Sequence, residues 1–254
     1  MKEGDIIYLK KGRPLPILKN RRDSGIIAFG GDLSFSRLLE AYSKGIFPWY
    51  DVNSPILWHS PMERCIFNIN SFKTSHSLKQ KLKNGTFSFT FDQCFVQIMQ
   101  CCALIKRKGE SGTWIFRETV DAYSALHMEG YAHSLEVWHK GEIAGGLFGV
   151  SLGKAFFGES MFHVITDASK AAMYFLFEFL RSQQFHFVDA QMHTDHLISL
   201  GAEMVSRNHY LQMLEIALKN DTIAENWDEY IKRRGITPEF YGRGYKNVRT
   251  KPGK

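Results

Sequence analysis

The sequence predicts an α/β protein of the α+β kind: a small N-terminal domain followed by a larger domain built on a central sheet. Three observations carry that reading of the 254 residues. Residues 132–162 read as three successive strands, broken by turns at Lys140-Gly141-Glu142 and near Gly153. Stretches of helix length flank them, at 92–105, at 117–130 and from Asp167 to about Gln183. Ahead of these lies a segment of a different character, Ile46-Phe47-Pro48-Trp49-Tyr50 and Pro55-Ile56-Leu57-Trp58-His59-Ser60-Pro61, whose prolines and tryptophans mark a fixed surface. The predicted division is a small N-terminal domain over 1–64, a larger domain over 65–218 and a basic C-terminal extension over 219–254.

In the first domain, Gly30-Gly31-Asp32-Leu33-Ser34 is a turn, and Ser34 is a good N-cap. Leu38, Leu39 and Tyr42 give the helix that follows an apolar face, and Gly45 closes it. In the second, Lys73, Lys79, Lys81 and Lys83 fall on a helix, a pattern that alone means a solvated face. Phe87, Phe89 and Phe91 share one side of a strand, and 185–191 form another strand after the Asp167 helix. The order β-α-α-β-β-β-α-β-α matches the acyl-CoA N-acyltransferase-like (GNAT-like) architecture, in which a central strand splays from its neighbour and leaves a cleft for an acyl donor.

Composition narrows the function classes. With 44% hydrophobic and 23% charged residues the chain can bury a full core. Its longest apolar runs fall well short of the roughly 18 residues that span a bilayer, and Met1-Lys2-Glu3-Gly4-Asp5 lacks a signal-peptide core; a cytoplasmic protein is expected. Cys65, Cys94, Cys101 and Cys102 form no CxxC pair and read as reduced thiols. Gly145-Gly146-Leu147-Phe148-Gly149 lacks the Lys-Ser/Thr ending of a phosphate loop, and Gly158-Glu159-Ser160-Met161-Phe162 lacks the second glycine of a nucleophile elbow. His193 and His196 have metal-compatible spacing but no third ligand of equal clarity, so no metal is expected. The usual loop that cradles coenzyme A pyrophosphate is also missing, which leaves the acyl donor open.

The candidate site is the pair of segments Gly158-Glu159-Ser160-Met161-Phe162 and Asp189-Ala190-Gln191. Burying a carboxylate costs several kcal/mol unless it is paired or used. Two acids and an amide among Phe156, Phe157, Met161, Phe185, Phe187 and Val188 therefore read as a site. Charge is concentrated elsewhere: residues 232–254 carry eight Lys or Arg against Glu239 alone, in a chain of net charge +6. That tail reads either as an arm for nucleic-acid phosphates or as a solubilising end.

Seven runs in register, from about residue 25 to 215, resemble the leucyl/phenylalanyl-tRNA–protein transferases. They are Ala28-Phe29-Gly30-Gly31-Asp32-Leu33-Ser34, Gly45-Ile46-Phe47-Pro48-Trp49, Ile56-Leu57-Trp58-His59-Ser60-Pro61, Gly112-Thr113-Trp114-Ile115, Gly130-Tyr131-Ala132-His133-Ser134-Leu135-Glu136-Val137-Trp138, and the two segments of the candidate site. The resemblance implies a small N-terminal domain joined to an acyltransferase-like domain. It implies transfer of Leu or Phe, with Met as a further candidate donor, from aminoacyl-tRNA to proteins beginning with Arg or Lys, marking them for N-degron proteolysis. An aminoacyl ester is already activated, so no cofactor and no metal are expected. The resemblance further implies Asp189 and Gln191 as the catalytic pair, Asp189 orienting or deprotonating the amine and Gln191 acting as relay or positioning amide. Leu147, Phe156, Met161, Met173, Leu180 and Val188 match the donor pocket, Trp49 and Trp114 the positions that hold the terminal adenosine, and Glu159 an acidic position of the same site. Lys79, Lys81 and Lys83 are the expected tRNA contacts. The chain departs from the pattern at His76 and at Val164, where the family often carries arginine, and the basic tail could replace that charge. A coenzyme A-dependent N-acyltransferase and a catalytically idle tRNA-binding protein are the other classes the sequence admits.

Overall fold

The computed structural model describes residues 6–10, 12–18, 25–105 and 112–236. Two sheets organise them. In the first, β1 (Ile7–Leu9), β2 (Ile26–Gly30), β3 (Phe47–Pro48) and β4 (Leu57–His59) lie in the order β1-β2-β4-β3, and α1 (Phe35–Ser43) connects β2 to β3. Ser34 is the N-cap of α1, but its side chain caps nothing; its N–H instead donates to Asp32 Oδ1 at 3.0 Å. Gly45, just past the helix, has φ +71°, and a Cβ there would come within 2.8 Å of Tyr210 and Leu211. Glycine is required on both counts.

The second sheet runs β11-β5-β10-β9-β8-β7-β6, from β5 (Glu63–Asn68), β6 (Ser88–Phe91), β7 (Ala132–His139), β8 (Glu142–Leu152), β9 (Ala155–His163), β10 (Phe187–Gln191) and β11 (Glu203–Ser206). Lys140 and Gly141 join β7 to β8 with φ of +54° and +89°, the positive pair that a two-residue hairpin of right-handed twist favours. One face of the sheet packs on α1, α3 (Phe95–Leu104), α4 (Arg117–Met128) and α7 (Arg207–Ala217). The other packs on α2 (His76–Lys83), α5 (Ala168–Ser182), the short α6 (Asp195–Ser199) and α8 (Trp227–Arg233). Phe87, Phe89 and Phe91 share this second face, as their alternation predicts, with Phe89 stacked on Phe175 at 3.9 Å and Phe91 beside Phe179 at 5.0 Å.

Among the described residues of this sheet, only β9 and β10 pair in parallel. Their register covers Ala155–Phe157 against Phe187–Asp189 and stops there, although β9 continues to His163. Beyond Asp189, β10 shifts register against β5, and Gln191 adopts φ +63°. The two central strands part at Gly158, the splay that the element order predicts.

The described part of the 219–254 segment is packed against the larger domain. Trp227 of α8 is fully buried, stacked on His133 at 3.8 Å and ringed by Phe91, Phe156, Phe179 and Phe185. Asp92 receives the Trp227 N–H at 2.7 Å, and Asn226 caps α8 through the Glu229 N–H. Of the basic tail, residues 237–254 lie outside the described residues.

Candidate active site

Where β9 and β10 diverge, a cavity of about 670 Å³ opens between the two domains. Its apolar end is built by Leu147 of β8, Phe156 and Met161 of β9, Met173, Leu176 and Phe177 of α5 and Val188 of β10. Five of the six residues expected for a donor pocket are therefore brought together. The sixth, Leu180, is not: it is fully buried one helical turn beyond Leu176, in the core behind the cavity wall. Phe47, Pro48 and Trp49 of the small domain and Trp114 form the opposite side. Trp49 is 41% exposed and Trp114 7%, one ring offered to the solvent and the other set into the wall.

The polar end carries Glu159 and Gln191, which face each other from the parted strands. Gln191 Nε2 donates to Glu159 Oε1 at 2.8 Å, and the Tyr42 hydroxyl donates to the same oxygen at 2.8 Å. Tyr123 shares its single hydroxyl proton between Oε2, at 3.3 Å, and the Tyr42 oxygen. Burial pushes the Glu159 carboxyl up to about 8; the Tyr42 bond works against this, and the nearby Asp189 charge adds to it. Burial, reinforced by Glu159, likewise raises both tyrosines well above the ordinary phenol range.

Asp189 does not line the cavity. It is wholly buried beneath it, where Arg64 grips it with both prongs: Nε to Oδ1 at 2.8 Å and Nη2 to Oδ2 at 2.7 Å. Tyr210 donates to Oδ2 at 2.7 Å, and the backbone N–H of Gln191 donates to Oδ1 at 2.9 Å. Arg64 lies between the rings of Phe47 and Tyr210, 4.6 and 4.5 Å from their centroids. Burial opposes the guanidinium charge, but Asp189 outweighs it and holds the charge on. The carboxylate thus fixes the left-handed backbone of Gln191, and with it the amide that reaches Glu159.

The sequence does not single out Arg64, Tyr123 or Tyr210, and gives Tyr42 only as part of an apolar face. Arg64 follows Glu63 and precedes the apolar run Cys65-Ile66-Phe67, so its buried partner Asp189 leaves no local signal. Of the expected tRNA contacts on α2, Lys79 and Lys83 are exposed, whereas Lys81 bonds Asp167 at 2.6 Å. His193 and His196 line the cavity mouth, and no cluster of three metal-ligating side chains occurs among the described residues.

A cleft between parted parallel strands, closed at one end by apolar side chains and furnished at the other with a carboxyl and an amide, places the chain among the acyl-transferring enzymes. It belongs to the leucyl/phenylalanyl-tRNA protein transferase family, whose principal model matches residues 66–215 and whose N-terminal domain model matches residues 31–62. Relatives carrying that name include a Lawsonia intracellularis protein, 48% identical over 207 residues that make up 82% of this chain and 91% of the relative. A Maridesulfovibrio salexigens protein is 49% identical over 80% of this chain and 85% of its own length. One from Legionella pneumophila is 49% identical over 80% and 90%. The chain is an aminoacyltransferase.

Proposed function

We propose that the protein moves Leu or Phe from aminoacyl-tRNA onto the N-terminal Arg or Lys of acceptor proteins, and so marks them for N-degron proteolysis. Met, unbranched and apolar, is a further donor that the chamber suits. The observation that carries this reading is the Glu159–Gln191 pair set across the neck of an apolar chamber. The chamber takes the amino-acid side chain, and Met161 and Met173 mould around Leu or Phe. Trp49 and Trp114 stack on the terminal adenosine, worth about 1–3 kcal/mol per base. Lys79 and Lys83, with Lys81 through its shared pair, supply phosphate contacts on α2. The donor is delivered as a charged tRNA, which places the work in the cytoplasm.

Aminolysis of an ester requires alignment and a path for protons. Gln191 lies at the cavity wall and orients the acceptor amine. Asp189, sealed below, acts through Gln191 and is a positioning residue. Residue contacts to a coenzyme A pyrophosphate are not needed in this scheme. The test is labelled Leu-tRNA with an Arg-initiated protein, following label into peptide linkage. Stimulation by an acyl-CoA in place of the charged tRNA would overturn the reading.

A further inference from the structure

We infer that Glu159 is the residue that accepts the proton of the acceptor's α-amino group during transfer. The inference rests on the transferase reading above and assigns a chemical role inside it. Asp189, Gln191 and Glu159 are the polar groups where β9 and β10 part, and geometry removes two of them. Asp189 has both oxygens doubly occupied by Arg64, Tyr210 and the Gln191 N–H, and does not reach the cavity. The Gln191 side chain is a neutral amide, which can orient an amine but holds no proton. Glu159 remains. It lines the cavity at 8% exposure. Its Oε1 is engaged by Tyr42 and Gln191, while Oε2 is held only by the 3.3 Å bond from Tyr123 and has capacity for an amine proton.

The surroundings suit the role. Tyr42 reaches Glu159 from α1, Tyr123 from α4, Gln191 and the Asp189 charge from β10, and the Arg64 guanidinium lies beyond Asp189 on β5. Burial by these neighbours sets the carboxyl at about 8, close to the roughly 7.7–8.0 of an α-amino group. A carboxyl raised toward the operating pH is the kind of group that general acid–base catalysis uses. The step closes without an outside reagent. Glu159 takes one proton from the α-ammonium, and the nitrogen attacks the ester carbonyl. As the C–N bond forms and the C–O bond to the tRNA breaks, the surplus proton on nitrogen passes to the departing 3′-oxygen, and Glu159 is left holding the one it took. That last proton passes to water.

The experiment compares wild type, Glu159→Gln and Glu159→Asp with two Arg-initiated peptides, one with an ordinary amine and one whose terminal nitrogen is aminooxy, hence unprotonated at neutral pH. For Glu159→Gln we expect a loss of roughly 100-fold or more in kcat with the ordinary peptide, little change in KM for aminoacyl-tRNA, and a much smaller loss with the aminooxy peptide. Glu159→Asp retains part of the activity and shows that the fold tolerates the site. Equal losses with both peptides would reduce Glu159 to a positioning residue, and near-normal kcat in Glu159→Gln would remove it altogether. A His196→Gln variant whose loss depends on the acceptor in the same way would shift the proton to that imidazole and overturn the assignment. Absence of transfer by the wild type would count against the transferase reading itself.

Discussion

Arg64 and Asp189 form a two-pronged ion pair with 1% and 0% of their side chains in contact with solvent, directly beneath the residue that faces the cavity. At that depth each is the other's counter-ion. Arg64→Met should therefore cost about 3–5 kcal/mol of stability, as should Asp189→Asn, while replacing both by apolar residues should cost clearly less than the two singly. A urea double-mutant cycle measures this. Losses near the surface-pair level of about 1 kcal/mol would show that the pair is not what holds β5 to β10.

Donor choice depends on space at the apolar end. Met161→Trp places a second ring system where the donor side chain is expected, and it grows into the cavity rather than into packed core. We expect Phe transfer to fall at least about tenfold relative to Leu, with an unchanged thermal midpoint. Competition between Leu-tRNA and Phe-tRNA reads the ratio; an unaltered ratio in a folded variant would move the donor pocket elsewhere.

The three lysines of α2 should not be equivalent. Lys79→Ala and Lys83→Ala should each lower the salt dependence of tRNA binding, reducing the log–log slope by roughly 0.7–0.9 per lost phosphate contact. Lys81 is already bound to Asp167, so Lys81→Ala should change the slope less. Filter binding across a salt series distinguishes them, and three equal slopes would argue against the pairing.

The parts that could be read from the sequence are those with local periodicity. β7, β8 and β9 are long enough for alternation to show, α5 has an apolar face of four turns, and the acids and amide of β9 and β10 stand out against Phe and Val. The small sheet was not legible because strands of two to five residues, one containing Pro48, carry no usable period. Non-local pairing hid the rest. Arg64 meets Asp189 across 125 residues, and a tyrosine such as Tyr42 buries its ring like any apolar side chain while its hydroxyl works at the other end. Leu180 and Leu176 lie on the same side of α5, and only the path of the cavity wall decides which one faces the substrate.

Stability should fall as pH rises through neutrality. Glu136 is fully buried on β7, where Thr90 and Ser134 each donate to it at 2.5 Å, and burial still pushes it up to about 7. An unfolded chain ionises this carboxyl near 4.5, so between about 4.5 and 7 the unfolded state binds fewer protons and is favoured by rising pH. The penalty is absent below that window and complete above it. Glu159 acts in the same sense up to about 8. Denaturant midpoints for Glu136→Gln should vary less between pH 5 and 8 than those of wild type; an identical pH dependence would mean that Glu136 ionises in the folded protein as easily as in the unfolded one.

Trp227 closes the core from a segment that follows every residue of the cavity in the chain, which gives the order of synthesis a structural meaning. Until that indole leaves the ribosome, the rings of Phe156, Phe179 and Phe185 lack the side chain that covers them, and Phe156 is also a wall of the cavity. A nascent chain therefore holds every residue of its active site before it can hold their final arrangement.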